Sequence, residues 1–106
     1  MKELEFLGNS LENIQLFSDI AKQRTGYELH KVQSGLKPDN WKPMTNIGSG
    51  VNEIRVSASD GIYRTIYIAK FKEAIYVLHA FQKKDQKTRQ EDIDLAKKRL
   101  KEIGDK

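Results

Sequence analysis

Apolar and polar residues alternate along the middle of the chain, a pattern typical of β-strands. Between residues 48 and 84, three alternating or apolar runs predict strands over 51–57, 62–69 and 75–83. The turn signal Ser59-Asp60-Gly61 separates the first two strands, and residues 70–73 separate the second from the third. Because strands that are close in sequence usually pair with each other, we predict an antiparallel meander.

Helical periodicity lies on the N-terminal side of these strands. A short alternating run at residues 3–7 predicts an edge strand, and apolar residues at helical spacing then predict two helices, at about 11–23 and 27–34, which form a helical hairpin. Thr25-Gly26 separates the two predicted helices, and Gly35 suits the left-handed position that ends the second. Residues 37–43 include two prolines and predict an irregular connection.

The end of the chain predicts one amphipathic helix. Its apolar residues recur at spacings of three, four and three, and they are Ile93, Ala96, Leu100 and Ile103. Thr88 and Glu91 have the spacing of a capping box at its start. The basic residues of its second half, Arg99 among them, suit the negative end of the helix dipole. Together these elements predict an α+β fold in which residues 1–106 form a single domain.

The net charge of +4 at pH 7 adds an expectation about partners. It favours an anionic partner, such as nucleic acid, an anionic lipid surface or an acidic protein, although a small excess of lysine also serves solubility. The absence of cysteine excludes disulfides, thiolate metal sites and cysteine nucleophiles. We expect no signal peptide, because the N-terminal residues are partly acidic, and no transmembrane helix, because no run of about 18 apolar residues occurs. A cytoplasmic location is compatible with these features.

Basic residues on the predicted strands, and at the end of the third strand, suggest a phosphate-binding site. Arg55 and Arg64 lie on neighbouring strands, and Lys83, Lys84 and Lys87 lie at the end of the third strand. The planar guanidinium group binds two phosphate oxygens at once and stays charged, so two arginines and nearby lysines can cradle a phosphate. The lysines at the strand end would add phosphate affinity.

His79 and Phe81 of the third strand extend this candidate site. A histidine can act as a general acid or base near neutral pH, and a phenylalanine can stack on a nucleobase. Strict alternation places Ile75, Val77 and His79 on one face of the strand, which would be the open face if the helices cover Leu78.

Each of these residues also has a purely structural interpretation. Arg55 can pair with a nearby carboxylate such as that of Glu53, Arg64 can extend to the rim of the sheet, and His79 can be a hydrogen-bonded strand residue. Arg64 also shares its predicted face with Ile66 and other apolar residues. The candidate site therefore requires the sheet to bulge or curve.

Four sequence motifs in the same order resemble the HigB-like, phage-derived branch of the RelE/ParE toxin superfamily. They are Gly50-Val51-x-Glu53-Ile54-Arg55, Tyr63-Arg64-x-x-Tyr67, Tyr76-Val77-Leu78-His79-Ala80-Phe81-x-Lys83-Lys84 and Asp92-Ile93-x-x-Ala96-x-x-Arg99. The resemblance covers nearly the whole chain. It implies a RelE-like α+β fold, with a twisted antiparallel sheet, an N-terminal helical hairpin and a C-terminal helix.

The resemblance also implies an activity and its partners. Toxins of this branch are similar to ribosome-dependent mRNA interferases, endoribonucleases that cleave by attack of a ribose 2′-OH on the adjacent phosphate without a metal or other cofactor. The implied partners are a helix-turn-helix antitoxin of the HigA-like kind, the ribosome and mRNA, with no membrane. A homodimer and a heterotetramer with the antitoxin are both compatible assemblies.

The resemblance further implies roles for individual residues. Arg64 would bind the scissile phosphate, and Lys83 and Lys84 would stabilise the transition state or the leaving group. Arg55 would contact the phosphate or raise the local potential, and His79 is characteristic of the branch. Two alternatives remain at this point: a non-enzymatic, ParE-like inhibitor of DNA gyrase, and an inactive domain that only binds an antitoxin.

Overall fold

The computed structural model describes residues 1–83 and 88–104, so the predicted site residues Lys84 and Lys87 lie outside the described residues. The elements in chain order are β1 (Glu3–Phe6), α1 (Ser10–Gln15), α2 (Asp19–Gln33), β2 (Trp41–Pro43), β3 (Val51–Ala58), β4 (Gly61–Ile68), β5 (Ala74–Lys83) and α3 (Gln90–Ile103). The predicted α+β class is confirmed.

The described strands form one sheet in the order β1-β5-β4-β3-β2. The predicted meander is confirmed, because β3 pairs antiparallel with β4 and β4 pairs antiparallel with β5. The predicted edge strand β1 is also present, but it runs parallel to β5, so the expectation of a wholly antiparallel sheet is wrong. Parallel pairing needs a long connection between the two strands, and the chain between β1 and β5 is long enough to allow it.

The opposite edge of the sheet is a strand that the sequence pattern did not predict. Trp41 pairs with Ile54 and Pro43 pairs with Asn52, so the end of the expected irregular connection belongs to the sheet. A strand of three residues is too short to show alternation, and a proline is tolerated there because β2 has a neighbour on only one side.

Two helices precede β2, but the predicted boundary between them is wrong. α1 ends at Gln15, and α2 begins after Ser18, whose hydroxyl oxygen accepts a hydrogen bond from the N–H of Ala21 at 3.4 Å. α2 then continues through Gly26 to Gln33. A glycine inside a helix costs only about 1 kcal/mol relative to alanine, and the buried residues on both sides of Gly26 offset that cost.

The predicted left-handed helix end at Gly35 is confirmed. Its φ is +83°, and its N–H donates to the carbonyl of Val32 at 3.0 Å. The N–H of Leu36 donates to the carbonyl of Lys31 at 2.9 Å, which completes the hydrogen-bond pattern typical of a glycine helix end.

Both faces of the sheet are covered by helices. α1 and α2 pack on one face, where Ile14 and Leu29 belong to the same apolar cluster as Ile54 and Val77. α3 packs on the other face, where Ile93 and Ala96 meet Ile66 and Leu78. The expectation of an open face is therefore wrong. Across residues 1–83 and 88–104, no helix combines the length and the apolar character needed to cross a lipid bilayer.

Candidate functional site

A β-bulge in β5 determines which side chains share the face under α3. Ile66 of β4 is opposite His79, whereas the next residue, Tyr67, is opposite Val77, so Leu78 is an additional residue in β5. The strand alternation therefore shifts by one position after Leu78. His79 consequently lies on the α3 face beside Ile66, while Val77 remains on the α1–α2 face.

This bulge resolves the conflict in the sequence pattern. Strict alternation placed Val77 and His79 on one face, and that prediction is wrong because of the extra residue. The expectation that the sheet bulges or curves is confirmed, and the bulge lies in β5, where it places Phe81 opposite Arg64 in the pairing register. We call the group that gathers here under the start of α3 the strand-end cluster; its members are Glu53, Arg55, Arg64, His79, Phe81, Lys83, Thr88 and Asp92.

A fully buried carboxylate, that of Glu53, holds the two arginines of the cluster. Arg64 Nη1 donates to Glu53 Oε1 at 2.6 Å, and Arg55 Nε donates to the same oxygen at 3.1 Å. The two arginines are directly opposite each other on β3 and β4, where like charges repel unless an anion lies between them. Glu53 supplies that anion and fixes both guanidinium groups.

The pairing of Arg55 with Glu53 is therefore confirmed, but the expectation that Arg64 extends to the sheet rim is wrong. Arg64 is 1% exposed, and the Glu53 side chain is 0% exposed, whereas the Arg55 side chain is 24% exposed. Arg55 is thus more accessible to a ligand than Arg64. Burial of an ion pair is costly unless hydrogen bonds satisfy the charged groups, and here Glu53 Oε1 accepts from both arginines.

Thr88 also binds Glu53, and the predicted capping box is wrong for this reason. The Thr88 hydroxyl donates to Glu53 Oε2 at 2.9 Å. The residue before the first helical turn is instead Arg89, and its side chain makes no capping hydrogen bond. The second carboxylate oxygen of Glu53 accepts the hydrogen bond of the Thr88 hydroxyl, so Thr88 does not cap α3 as the sequence pattern predicted.

A second carboxylate of the cluster, that of Asp92 in the first turn of α3, contacts both His79 and Lys83. Asp92 Oδ1 lies 2.9 Å from His79 Nε2, and Asp92 Oδ2 lies 3.8 Å from Lys83 Nζ. His79 is 5% exposed and Lys83 is 4% exposed. The hydrogen bond to a carboxylate assigns the proton to Nε2 of a neutral imidazole.

Burial lowers the pKa of His79 below its ordinary value, although the hydrogen bond to Asp92 and the charge of Asp92 act in the opposite direction. The charge of Arg99 adds to the lowering. His79 is therefore neutral at pH 7. Its Nδ1 atom is buried and has no hydrogen-bond partner in the part of the chain that the structure describes, so this nitrogen keeps an available lone pair.

Phe81 lies beside these charged groups and is half-buried. Its ring stacks on the imidazole of His79, with centroids 4.8 Å apart and an interplanar angle of 25°. Lys83 Nζ lies 5.9 Å from the centroid of Phe81, within reach of a cation–π interaction. A cavity of about 370 Å³ opens here, and its lining residues are Phe81, Gln82, Lys83, Arg89, Glu91 and Asp92.

The bulge thus brings together Arg55, Arg64, His79 and Lys83, with Phe81 beside them. The carboxylates of Glu53 and Asp92 offset part of the positive charge of the arginines and the lysine. The cluster can bind an anion, and its neutral imidazole can accept a proton, but the start of α3 covers most of it.

Sequence reasoning missed Asp92 and Arg99 as members of the buried face of α3. Arg99 is buried, and its guanidinium donates to the carbonyl of Leu78 at 2.9 Å and to Asn9 Oδ1 at 2.6 Å. The expectation that Arg99 serves the helix end is therefore wrong. The spacing contains a signal, because Asp92 and Arg99 lie four residues before and three residues after Ala96, on the same helix face.

The model of a protein family described as "Phage derived protein Gp49-like (DUF891)" matches residues 12–101. The chain belongs to the Gp49-like family. This family is part of the RelE/HigB-like group of toxins and is associated with toxin–antitoxin pairs. The matched range includes every residue of the strand-end cluster. No curated protein matches the sequence.

Proposed function

We propose that this Gp49-like protein is the toxin of a type II toxin–antitoxin pair and acts as a HigB-like, ribosome-dependent mRNA interferase with a RelE-like fold. The observation that carries the proposal is the strand-end cluster, in which Arg64, His79 and Lys83 lie on one face beside Phe81. The family's association with such toxins supports it independently.

In the proposed reaction, a ribose 2′-OH attacks the adjacent phosphorus atom. The lone pair of His79 Nδ1 takes the 2′-OH proton, which a neutral imidazole with a lowered pKa can do at pH 7. The new bond from O2′ to phosphorus forms as the bond from phosphorus to O5′ breaks. Lys83 donates a proton to the departing 5′ oxygen, so the products are a 2′,3′-cyclic phosphate and a 5′-hydroxyl.

The other residues of the cluster bind and orient the RNA in this proposal. Arg64 holds the scissile phosphate and offsets the negative charge that grows on it, as cations aimed at a developing charge do in other phosphoryl-transfer sites. Arg55, the more accessible arginine, contacts a neighbouring phosphate, and Phe81 stacks on a base. Lys84 and Lys87 add positive charge at the strand end.

The proposed activity sets the partners and the place of action. The substrate is mRNA in the ribosomal A site, which places the protein in the cytoplasm. The cognate inhibitor is a helix-turn-helix antitoxin of the HigA-like kind, in a heterotetramer or beside a toxin homodimer. The reaction needs no metal or other cofactor, as in the toxins that the sequence resembles.

The test uses purified protein with programmed ribosomes and a defined mRNA, and maps cleavage sites by primer extension. We expect codon-phased cuts from the wild type and a loss of at least about a hundredfold in rate for His79→Gln, since general-base catalysis contributes that much. Arg24→Gln is the control, because Arg24 is an exposed residue of α2 that is not part of the strand-end cluster and donates to the carbonyl of Ser57. Cleavage by folded His79→Gln at the wild-type rate would refute the assigned base.

The burial of Arg64 and Lys83 favours a second candidate, in which the cluster is structural and the toxin acts without catalysis. A ParE-like toxin of this kind inhibits DNA gyrase. A supercoiling assay with purified gyrase distinguishes the two, because only the second candidate predicts inhibition together with intact mRNA. An inactive antitoxin-binding domain would leave both assays, and the growth of expressing cells, unchanged.

A further inference from the structure

We propose that the first turn of α3, together with Thr88, is an intramolecular lid on the strand-end cluster, and that the Asp92 carboxylate occupies a position that an RNA phosphate takes when the lid opens. The inference rests on the proposed function, since it concerns the regulation of the same site. RNA and Asp92 then compete for the same two groups, the His79 imidazole and the Lys83 ammonium.

The contacts of Asp92 are those expected of a phosphate substitute. One carboxylate oxygen meets the His79 imidazole at 2.9 Å, and the other faces the Lys83 ammonium at 3.8 Å. Phosphate offers the same arrangement of two negatively charged oxygens toward two neighbouring donors. The cavity beside Phe81 is lined by Asp92 as well, so a nucleotide that enters it meets this carboxylate.

Thr88 closes the lid on the other side of the cluster. Its hydroxyl donates to Glu53 Oε2, whereas Arg55 Nε and Arg64 Nη1 donate to Oε1. Thr88 and Asp92 therefore attach the start of α3 to the two halves of the cluster separately: the arginine half through Glu53, and the histidine–lysine half directly.

The lid can open without loss of the rest of α3. Ala96, Arg99 and Ile103 are buried, and Arg99 donates to the carbonyl of Leu78, so the later turns are held by their own contacts. Ile93 is buried as well and holds the helix from that residue onward, so the segment that opens is residues 88–92. Among the residues that the structure describes, no side chain caps this segment, and Glu91 pairs with the exposed Arg89 at 3.7 Å. A helix end without a side-chain cap separates from its neighbours more readily than a capped one.

Glu91→Gln supplies a matched control for Asp92→Asn. Both substitutions remove one negative charge from the same turn of α3, but only Asp92 contacts the cluster. Asparagine keeps the shape of aspartate and an oxygen that accepts from His79, so the change removes charge from the lid with little change in packing. Thr88→Val is a second variant that weakens the lid without changing the charge at all.

The experiment measures binding of a fluorescein-labelled single-stranded oligouridine to the full chain by fluorescence anisotropy. We expect Asp92→Asn to bind about tenfold more tightly than the wild type, Thr88→Val about threefold, and Glu91→Gln at most about twofold. Hydrogen exchange of the wild type should show faster exchange of the 88–92 amides when the RNA is bound, which a purely structural role of Asp92 does not predict.

Equal affinities for Asp92→Asn and Glu91→Gln, or unchanged exchange at 88–92 with bound RNA, would overturn the lid. Binding alone is measured, so the outcome is separate from that of the cleavage assay. If the wild type cleaves mRNA but Asp92→Asn does not bind RNA more tightly, the lid proposal is refuted and the interferase proposal stands. If Asp92→Asn binds RNA more tightly but no cleavage occurs, the interferase proposal is refuted and the lid proposal stands. Absence of RNA binding by all variants refutes the lid, and the cleavage assay on programmed ribosomes still decides the interferase by itself.

Discussion

Arg64 and Glu53 form an ion pair that is shielded from solvent on both sides, with Nη1 and Oε1 2.6 Å apart and side-chain exposures of 1% and 0%. Removing one partner of such a pair leaves the other charge buried, which typically costs about 3–5 kcal/mol. This relationship changes how the function of Arg64 can be tested, because an alanine substitution removes stability together with any catalytic role.

We therefore predict that Arg64→Ala lowers the free energy of unfolding by about 3 kcal/mol, the low end of that range, since Arg55 and Thr88 still bind Glu53. Urea denaturation measures the change. Arg24→Ala, at an exposed arginine of α2, should change the free energy by less than about 0.5 kcal/mol. A loss below about 1 kcal/mol for Arg64→Ala would contradict the importance of the buried pair.

The lowered pKa of His79 predicts a pH dependence of stability. An unfolded histidine titrates near pH 6.5, and the folded one titrates lower, so between these values the unfolded state binds more protons. The stability that neutral His79 contributes is complete above about pH 6.5 and is lost as the pH falls through the folded pKa. The surrounding charges are those of Asp92, Lys83 and Arg99.

Unfolding experiments between about pH 5 and 7.5 test this prediction. The wild type should lose stability on acidification within that range, and His79→Gln, which cannot titrate, should lose less. Nuclear magnetic resonance of the imidazole protons gives the folded pKa directly. A folded pKa above the ordinary value of a free histidine would reverse the sign and contradict the prediction.

Gly8 approaches Arg99 so closely that no side chain fits between them. A Cβ added at Gly8 would lie 2.4 Å from the Arg99 guanidinium, and the backbone φ of +55° already disfavours other residues. Gly8→Ala would displace the guanidinium from Leu78 and Asn9, so we predict a loss of about 2–4 kcal/mol. Gly35→Ala is the control. Its φ of +83° is also left-handed, but a Cβ added there has no described neighbour within 4 Å, so the substitution should lower the free energy of unfolding by only about 1–2 kcal/mol.

The uncapped start of α3 predicts a stabilising substitution. Arg89 has the extended backbone of a helix-capping residue, and Arg89→Ser would supply the missing hydroxyl. We predict that Arg89→Ser is about 1 kcal/mol more stable than Arg89→Ala, which loses the same charge without gaining a cap. Because a capped first turn opens less readily, Arg89→Ser should also bind oligouridine more weakly than Arg89→Ala. Tighter binding by the serine variant would count against the lid.

The sequence predicted the elements whose signals are local. The meander follows from turn residues such as Gly61 between adjacent runs, and α3 follows from apolar spacing. The sequence did not show where α1 ends and α2 begins. Gly26 is a stronger local signal for a helix break than Ser18, but the residues around Gly26 are buried and the helix continues through it. The parallel pairing of β1 depends on contacts far apart in sequence and leaves no local pattern.

The sequence predicted candidate residues for the site but not their arrangement in space. Alternation could not locate the bulge at Leu78, since one additional residue in a strand changes no local propensity. The burial of Arg64 could not be predicted from the sequence either, because it depends on Glu53 and on the start of α3. Asp92, the second carboxylate of the cluster, comes from α3, so a count of basic residues on the strands overstates the accessible positive charge.

The parallel pairing of β1 with β5 has a consequence for biosynthesis. β1 is synthesised well before its pairing partner, which begins at Ala74, and Asn9 accepts from Arg99, a residue 90 positions later. Contacts so distant in sequence form only after the later partner has emerged from the ribosome. β1 and Asn9 therefore remain without their native contacts until β5 and α3 have been synthesised, so the N-terminal edge of the sheet is completed late in biosynthesis.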